Sequence, residues 1–231
     1  MQECIVYNNC NHKDCDKEFC LRKYKLDSLY NAAQVPESKR YHTVLHIDAD
    51  GTDLAEFKQL AEIESHIEEF VAEGKNLYLH SSYCGNGKSS WAYRMIQTYF
   101  NKIWPSAPLE CKALFISVPR FLLALKDNIS NRNEYAEYIT ENILTADLVV
   151  WDDIAAKMAS EYEMNHLLSF IDGRLTAGKS NIYTSNLSTR EVYEALGERL
   201  ASRICNLSID IELHGADKRQ TVQQLENKEQ A

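Results

Sequence analysis

The stretch NLYLHSSYCGNGKSSWAYRMIQTYF, Asn76 to Phe100, constrains the chain more than any other. An apolar run, a glycine-bearing turn ending in Gly-Lys-Ser and a helix follow one another, which is the build of a nucleotide phosphate-binding loop. In the turn Gly85-Asn86-Gly87-Lys88-Ser89, glycine tolerates positive φ and lets backbone N–H groups close around a polyphosphate. The helix start adds further N–H donors and a positive dipole end. The expected phosphate cradle therefore runs through Cys84, Gly85, Asn86, Gly87, Lys88, Ser89 and Ser90. Lys88 reaches the β- and γ-phosphates, and the Ser89 hydroxyl sits on Mg²⁺. The full pattern has glycine where this chain has Ser82, a position serine can fill with a negative φ.

A second run, ADLVVWDDI, makes the phosphate loop chemically useful. It is an apolar strand, Leu148 to Trp151, that ends in two carboxylates. Asp152 at the strand end is expected to hold Mg²⁺ through water and Asp153 to orient or deprotonate the attacking water. A third strand, NIYTSN, ends in Asn186, which lies beside the γ-phosphate if this strand neighbours the loop strand; Asn-Leu-Ser equally suits a helix cap at Ser188 or Thr189. In LGERLASRI, Arg199 and Arg203 are four residues apart on one helical face. They make either a solvated face or an arginine finger aimed at a neighbouring subunit's γ-phosphate.

Helical patterns fall between the strands. Leu21 to about Ala33 precedes the Val35-Pro36 step. Asp53 with Glu56 reads as a capping box opening a helix that Gly74 stops. Further helices are expected at Ser89–Asn101, Pro119–Ile129, Glu134–Leu144, Glu163–Ala177 and Thr189–Ile204, strands at Ala113–Val118, Asn181–Thr184 and Leu207–Leu213, and an extended piece of the linker at Tyr41–Ile47. Alternation at this spacing predicts βαβ units and a parallel sheet covered on both faces.

Composition excludes several classes of function. With 25 basic against 34 acidic residues, a net charge of −9 gives no extended surface for coating nucleic acid. No apolar run approaches the roughly 20 residues of a membrane span, and the start MQEC lacks a signal peptide's regions, so the expected location is cytoplasmic, without membrane contact. In that compartment the seven cysteines are thiols or metal ligands rather than disulfides. Four of them, Cys4, Cys10, Cys15 and Cys20, cluster at the N-terminus with His12 among them. Four thiolates can build a tetrahedral Zn²⁺ site whose binding energy folds a segment too small for a core, and His12 is an alternative to one cysteine. Free surface thiols are the other reading. Cys84, Cys111 and Cys205 read as ordinary buried thiols.

The segments Gly85-Asn86-Gly87-Lys88-Ser89, Trp151-Asp152-Asp153-Ile154, Thr184-Ser185-Asn186, Leu196-Gly197-Glu198-Arg199-Leu200-Ala201-Ser202-Arg203 and Gly215-Ala216-Asp217-Lys218-Arg219 together resemble the AAA+ ATPases of the DnaC/DnaI type, which load replicative helicases, and especially their phage-encoded relatives. The resemblance covers about Asn76 to Arg219, and LGER-x3-R is its most specific part. It implies a five-stranded parallel sheet with helices on both faces, no C-terminal lid, and a small zinc-binding N-terminal domain. It makes Lys88 and Ser89 Walker A residues, Asp152 and Asp153 Walker B, Asn186 sensor 1, Arg203 the trans-acting finger and Arg219 a sensor-2-like arginine. Asp153 stands where many AAA+ proteins have glutamate, and such loaders resemble slow switches rather than motors.

The resulting division is a helicase-binding zinc head at 1–35, a linker at 36–52, an ATPase domain at 53–219 and a polar tail at 220–231. The implied activity is ATP-dependent loading of a hexameric DnaB-type helicase onto single-stranded DNA in a bacterial host cell, with self-assembly through the Arg203 face. An IstB-type transposition regulator and a non-hydrolysing nucleotide-binding adaptor are the alternatives. Arg22-Lys23-Tyr24-Lys25 is a contact face for the head or a solvated helix. Pro119-Arg120-Phe121 with Lys126 is a stacking stripe for single-stranded DNA or part of the core, and Tyr135 and Tyr138 read as packing.

Overall fold

Five short apolar runs, β1 (Asn76–His80), β2 (Ala113–Ser117), β3 (Leu148–Asp152), β4 (Ser180–Ser185) and β5 (Ile209–Glu212), pair side by side in the order β2-β3-β4-β1-β5. Every pairing is parallel. The structure is a computed structural model and describes residues 20–41, 43, 45, 51–156 and 160–217. The helices are α1 (Leu21–Ala32), α2 (Leu54–Ser65), α3 (Ile67–Ala72), α4 (Lys88–Ile103), α5 (Val118–Ser130), α6 (Glu134–Asn142), α7 (Glu161–Thr176) and α8 (Thr189–Asn206). Among the described residues no helix is long and apolar enough to cross a membrane.

Successive strand residues point to opposite faces, and the sheet is apolar on both. Leu77, Leu79, Phe115, Val150 and Ile182 face α1 to α4 in one core cluster, while Tyr78, Leu114, Ile116, Val149, Trp151 and Tyr183 face α5 to α8 in the other. This arrangement decides the topology. From β1 the chain crosses over through α4 to the far edge at β2, then steps back through β3 and β4 with its helices on the opposite face and passes over β1 to β5. The connections leaving the neighbouring strands β1 and β4 go to opposite faces and opposite directions, so a crevice opens at the carboxyl end of β1, where the expected phosphate loop lies.

The element expectations hold with differences that have physical causes. Asp53 does not cap α2. It adopts a left-handed conformation, and its carboxylate accepts instead from the backbone N–H groups of His214 (2.6 Å) and Gly215 (2.8 Å), tying the start of α2 to the segment after β5. The helix drawn from Asp53 to Gly74 breaks at His66 into α2 and α3. β5 is shorter than its alternating pattern, and Leu207 and Ile209 are exposed, because it is an edge strand with one open side. The opposite edge is closed: the Phe115 N–H donates to the Ala33 carbonyl at 2.8 Å. Of the extended piece expected at Tyr41–Ile47, only Tyr41, Thr43 and Leu45 are described residues. α1, which the sequence groups with the head, buries Leu26, Leu29 and Tyr30 in the core, with the Tyr30 and Phe100 rings edge to face at 5.3 Å.

One buried cation pins the lower edge of the sheet. The Arg174 side chain, fully buried, donates to Asn181 Oδ1 (2.7 Å) and to the carbonyls of Ile143 (2.6 Å), Ala146 (2.8 Å) and Ser180 (2.6 Å). Burial pulls its pKa down to about 10, which leaves it charged at neutral pH. Replacing it strands several acceptors at once, at about 1–3 kcal/mol each. Arg174→Ala is therefore expected to lose at least about 3 kcal/mol of unfolding free energy, read as a fall in the urea midpoint. A loss below about 1 kcal/mol contradicts this account of the edge.

Candidate nucleotide site

The loop after β1 is built by its own side chains. Ser81 Oγ accepts from the Tyr83 N–H at 3.1 Å and from Asn86 Nδ2, and Asn86 Nδ2 also reaches the Leu213 carbonyl at 3.3 Å. Asn86 is thus a buried brace between the loop and the strand that follows α8. Gly85 and Gly87 have φ of 75° and 106°, conformations that L side chains rarely adopt. A side chain at Gly85 would also collide with Asp217, whose Oδ1 lies 2.0 Å from where its Cβ would be. Ser82 is not among the residues with positive φ, so serine fits there without backbone strain. Lys88 is 5% exposed and points back into the loop, donating to the Tyr83 carbonyl (2.8 Å) and Asn86 Oδ1 (3.2 Å).

Beside the loop stands the acid at the end of β3. Because β4 lies between β1 and β3, Thr184 is interposed between the loop strand and Asp152. Asp152 Oδ1 accepts from Ser89 Oγ and from Thr184 Oγ1, both at 2.7 Å. Burial raises the Asp152 pKa above the usual carboxylate value; the two hydroxyl donors oppose that shift, and neighbouring Asp153 adds to it. Thr184 Oγ1 also accepts from the Asp153 N–H at 3.0 Å, which fixes the turn after the strand. That turn is tight, with Asp153 at φ 55° and Ala155 at φ 65°. Asn186 Nδ2 approaches Asp153 Oδ1 at 3.5 Å. The expected helix cap is present too, since Ser188 and Glu191 form a capping box on α8, and Asn186 is left to face Asp153.

The donors suit Mg²⁺. A hydroxyl and a carboxylate are hard oxygen ligands, and Ser89 Oγ and Asp152 Oδ1 are 2.7 Å apart, close to the roughly 2.9 Å edge of an octahedron with metal–oxygen bonds of about 2.0–2.1 Å. Five residues expected from sequence, Lys88, Ser89, Asp152, Asp153 and Asn186, therefore meet at the carboxyl ends of β1, β3 and β4.

This arrangement of strands recurs in solved structures. The DnaC helicase loader matches with a TM-score of 0.51 and 20% identity, over 64% of this chain and 86% of that one. DnaI matches at 0.59 and 20%, over 80% and 94%. The replication initiator DnaA bound to AMPPCP and single-stranded DNA matches at 0.57 and 14%, over 77% of this chain and 51% of that one. The chain has the fold of DnaC, DnaI and the DnaA ATPase domain. No protein-family model and no curated protein sequence matches it.

Within this fold the remaining candidates lie elsewhere. Arg203 is in the last turn of α8, just before β5 begins, at the end of the sheet opposite the phosphate loop. Its Nε donates to Asp172 on α7, and its Nη1 donates to the Arg199 carbonyl at 2.8 Å. Arg219 lies outside the described residues, as do Cys4, Cys10, His12 and Cys15. Cys20 Sγ accepts from the Lys23 N–H at 3.4 Å, at the start of α1. Among the described residues no group of three or more His, Cys, Asp or Glu side chains is placed to hold a metal. Cys84 is exposed rather than buried, because the turn carries it on the solvent side; Cys205 is buried and Cys111 half-buried. Phe121 is wholly in the core, and Lys126 pairs with Glu163 at 3.0 Å, so that stripe offers no stacking surface beyond Arg120, which lies over the Tyr135 ring at 4.2 Å.

Sequence reasoning passed over Ser81 and Thr184 and gave Asp53 only the local role of a helix cap. Thr184 had a usable signal, a hydroxyl near the end of an apolar strand. Asp53 had none, because its partners are backbone groups 161 and 162 residues away.

A raised folded pKa on Asp152 means that its ionised form opposes folding above the unfolded carboxylate pKa and that this opposition fades as pH falls. Asp152→Asn is accordingly expected to raise the melting temperature at pH 7, with the gain shrinking by pH 4, while Mg²⁺-dependent nucleotide binding is lost. A lower melting temperature at pH 7 would count against desolvation as the dominant effect at this acid.

Proposed function

We propose that this protein is an ATP-binding AAA+ helicase loader that hydrolyses ATP slowly and uses nucleotide as an assembly switch. The observation that carries the reading is the hydrogen bond from Ser89 Oγ to Asp152 Oδ1, which joins a phosphate loop to a strand-end carboxylate across β4. In this reading the N–H groups at the start of α4 and Lys88 bind the β- and γ-phosphates, releasing Lys88 from its contacts with Tyr83 and Asn86. Mg²⁺, held by Ser89 and Asp152, neutralises charge on the phosphates. Asp153 receives the proton of the attacking water, and Asn186 orients it.

Arg203 lies at the end of the sheet opposite the chain's own loop, which favours a role in trans, on ATP bound by a neighbouring subunit. The partner is a hexameric DnaB-type helicase that templates assembly, and the polynucleotide is single-stranded DNA. The N-terminal head, with Zn²⁺ on Cys4, Cys10, Cys15 and Cys20, grips the helicase. Arg219 serves as a second sensor of the γ-phosphate. Support for the partner is the likeness in fold to a structure described as a helicase loader, and support for ATP and single-stranded DNA is the likeness to DnaA bound to AMPPCP and single-stranded DNA.

Lys88→Ala is expected to weaken ATP binding by about 10- to 100-fold, the loss of a charge-assisted phosphate contact. Arg203→Ala is expected to leave affinity within about 2-fold while lowering turnover by about 10³-fold, and helicase loading with it. Titration with a fluorescent ATP analogue and a phosphate-release assay separate the two effects. If neither variant changes anything, the chain is a non-hydrolysing adaptor. For the head, Cys15→Ser is expected to lose both bound zinc and co-purification with the helicase; retained co-purification without zinc removes the head assignment.

A further inference from the structure

Arg203 is held in a specific way that the trans-acting role alone does not require. α7 and α8 pack side by side through Leu167, Ile171, Leu200 and Ile204, which puts Asp172 opposite Arg203 at the surface. The Asp172 carboxylate takes the Nε hydrogen and the Arg199 carbonyl takes an Nη1 hydrogen, while Nη2 has no partner among the described residues. The guanidinium is thus held at Nε and at one Nη1 hydrogen, which leaves Nη2 and the other Nη1 hydrogen to donate elsewhere. The Arg203 side chain is 29% exposed and that of Asp172 50%. An exposed pair of this kind contributes little to stability, about 0–1 kcal/mol, so its consequence is orientation. An arginine that must meet a γ-phosphate with a donor edge gains from being pre-oriented, because less side-chain freedom is lost when it engages.

We propose that Asp172 is a positioning residue for Arg203, holding the guanidinium so that Nη2 and the remaining Nη1 hydrogen face the phosphate of a neighbouring copy of this chain. The inference rests on the reading of Arg203 as a finger acting in trans. Asp172 touches no nucleotide; it sets how often the finger is correctly aimed. The partner surface it serves is the carboxyl end of β1, β3 and β4 of the adjacent subunit, where the phosphate loop and Asp152 lie.

The test uses the full chain, with the helicase present as template. Asp172→Ala is expected to lower turnover at saturating ATP by about 3- to 10-fold with unchanged ATP affinity and KM, Asp172→Glu to recover part of the loss, and the change to add nothing in an Arg203→Ala background. Mixing locates the defect. Lys88→Ala subunits bind ATP poorly but keep an intact finger, so in an equal mixture the turnover per Asp172→Ala subunit is expected to exceed that of Asp172→Ala alone. Wild-type turnover in Asp172→Ala, a further loss on top of Arg203→Ala, or no recovery in the mixture overturns the assignment while leaving the finger standing. If Arg203→Ala itself turns over normally, the trans reading falls and this inference falls with it. Asp172→Asn, which keeps the side-chain shape, guards against a folding defect, and a melting temperature equal to wild type is expected.

Discussion

A single carboxylate oxygen organises the site. Asp152 Oδ1 takes hydroxyl hydrogens from Ser89, on the first turn after the phosphate loop, and from Thr184, on the strand between. Three elements far apart in sequence converge on that atom, and the parallel register of β3, β4 and β1 brings them there. Burying an acid in this position is unfavourable, which is why its pKa rises. The two hydroxyls offset part of that cost, and a divalent cation bound by Ser89 and Asp152 would remove most of the rest.

The sheet makes this convergence possible because it is apolar on both faces. Alternate residues of β1 to β4 feed two cores, and the divergence of the connections leaving β1 and β4 leaves the loop in a crevice rather than under a helix. The opposite end of the sheet is arranged differently. There Arg174 replaces a hydrophobic plug with a cation satisfied by carbonyls and Asn181, and Trp151 Nε1 donates to the same Asn181 Oδ1 at 3.1 Å. One end is closed by the hydrogen bonds around Arg174, and the loop after β1 lies at the other. Arg203 is placed near the closed end, away from the chain's own loop.

Much of the fold was legible because strand and helix periods are local. β1, β3 and β4 begin and end within a residue or so of the apolar runs that predict them, and α7 and α8 start at Ser-x-x-Glu boxes present in the sequence. Local rules misled where a polar side chain found a distant partner. Asp53 looks like a cap from its neighbours, but in the fold it binds backbone N–H groups of a segment more than 160 positions later. Leu207 and Ile209 alternate like half-buried strand residues, yet they lie at an open edge that pattern alone does not reveal.

By itself the sequence determined the loop, its glycines, the acid pair and the alternation of strand with helix, because each depends on residue type over a short window. Lys88, Ser89, Asp152 and Asn186 were all identifiable in that way. Only the tertiary structure decided that β4 separates β1 from β3. With that order Thr184 becomes a donor to Asp152, and Ser81 and Asn86 brace the loop against the chain beyond β5. Only the fold, too, set Arg203 beside Asp172 at the far end of the sheet. The reason is the same in each case: hydrogen bonds between side chains depend on which strands and helices become neighbours, and that choice belongs to the packing of the whole sheet.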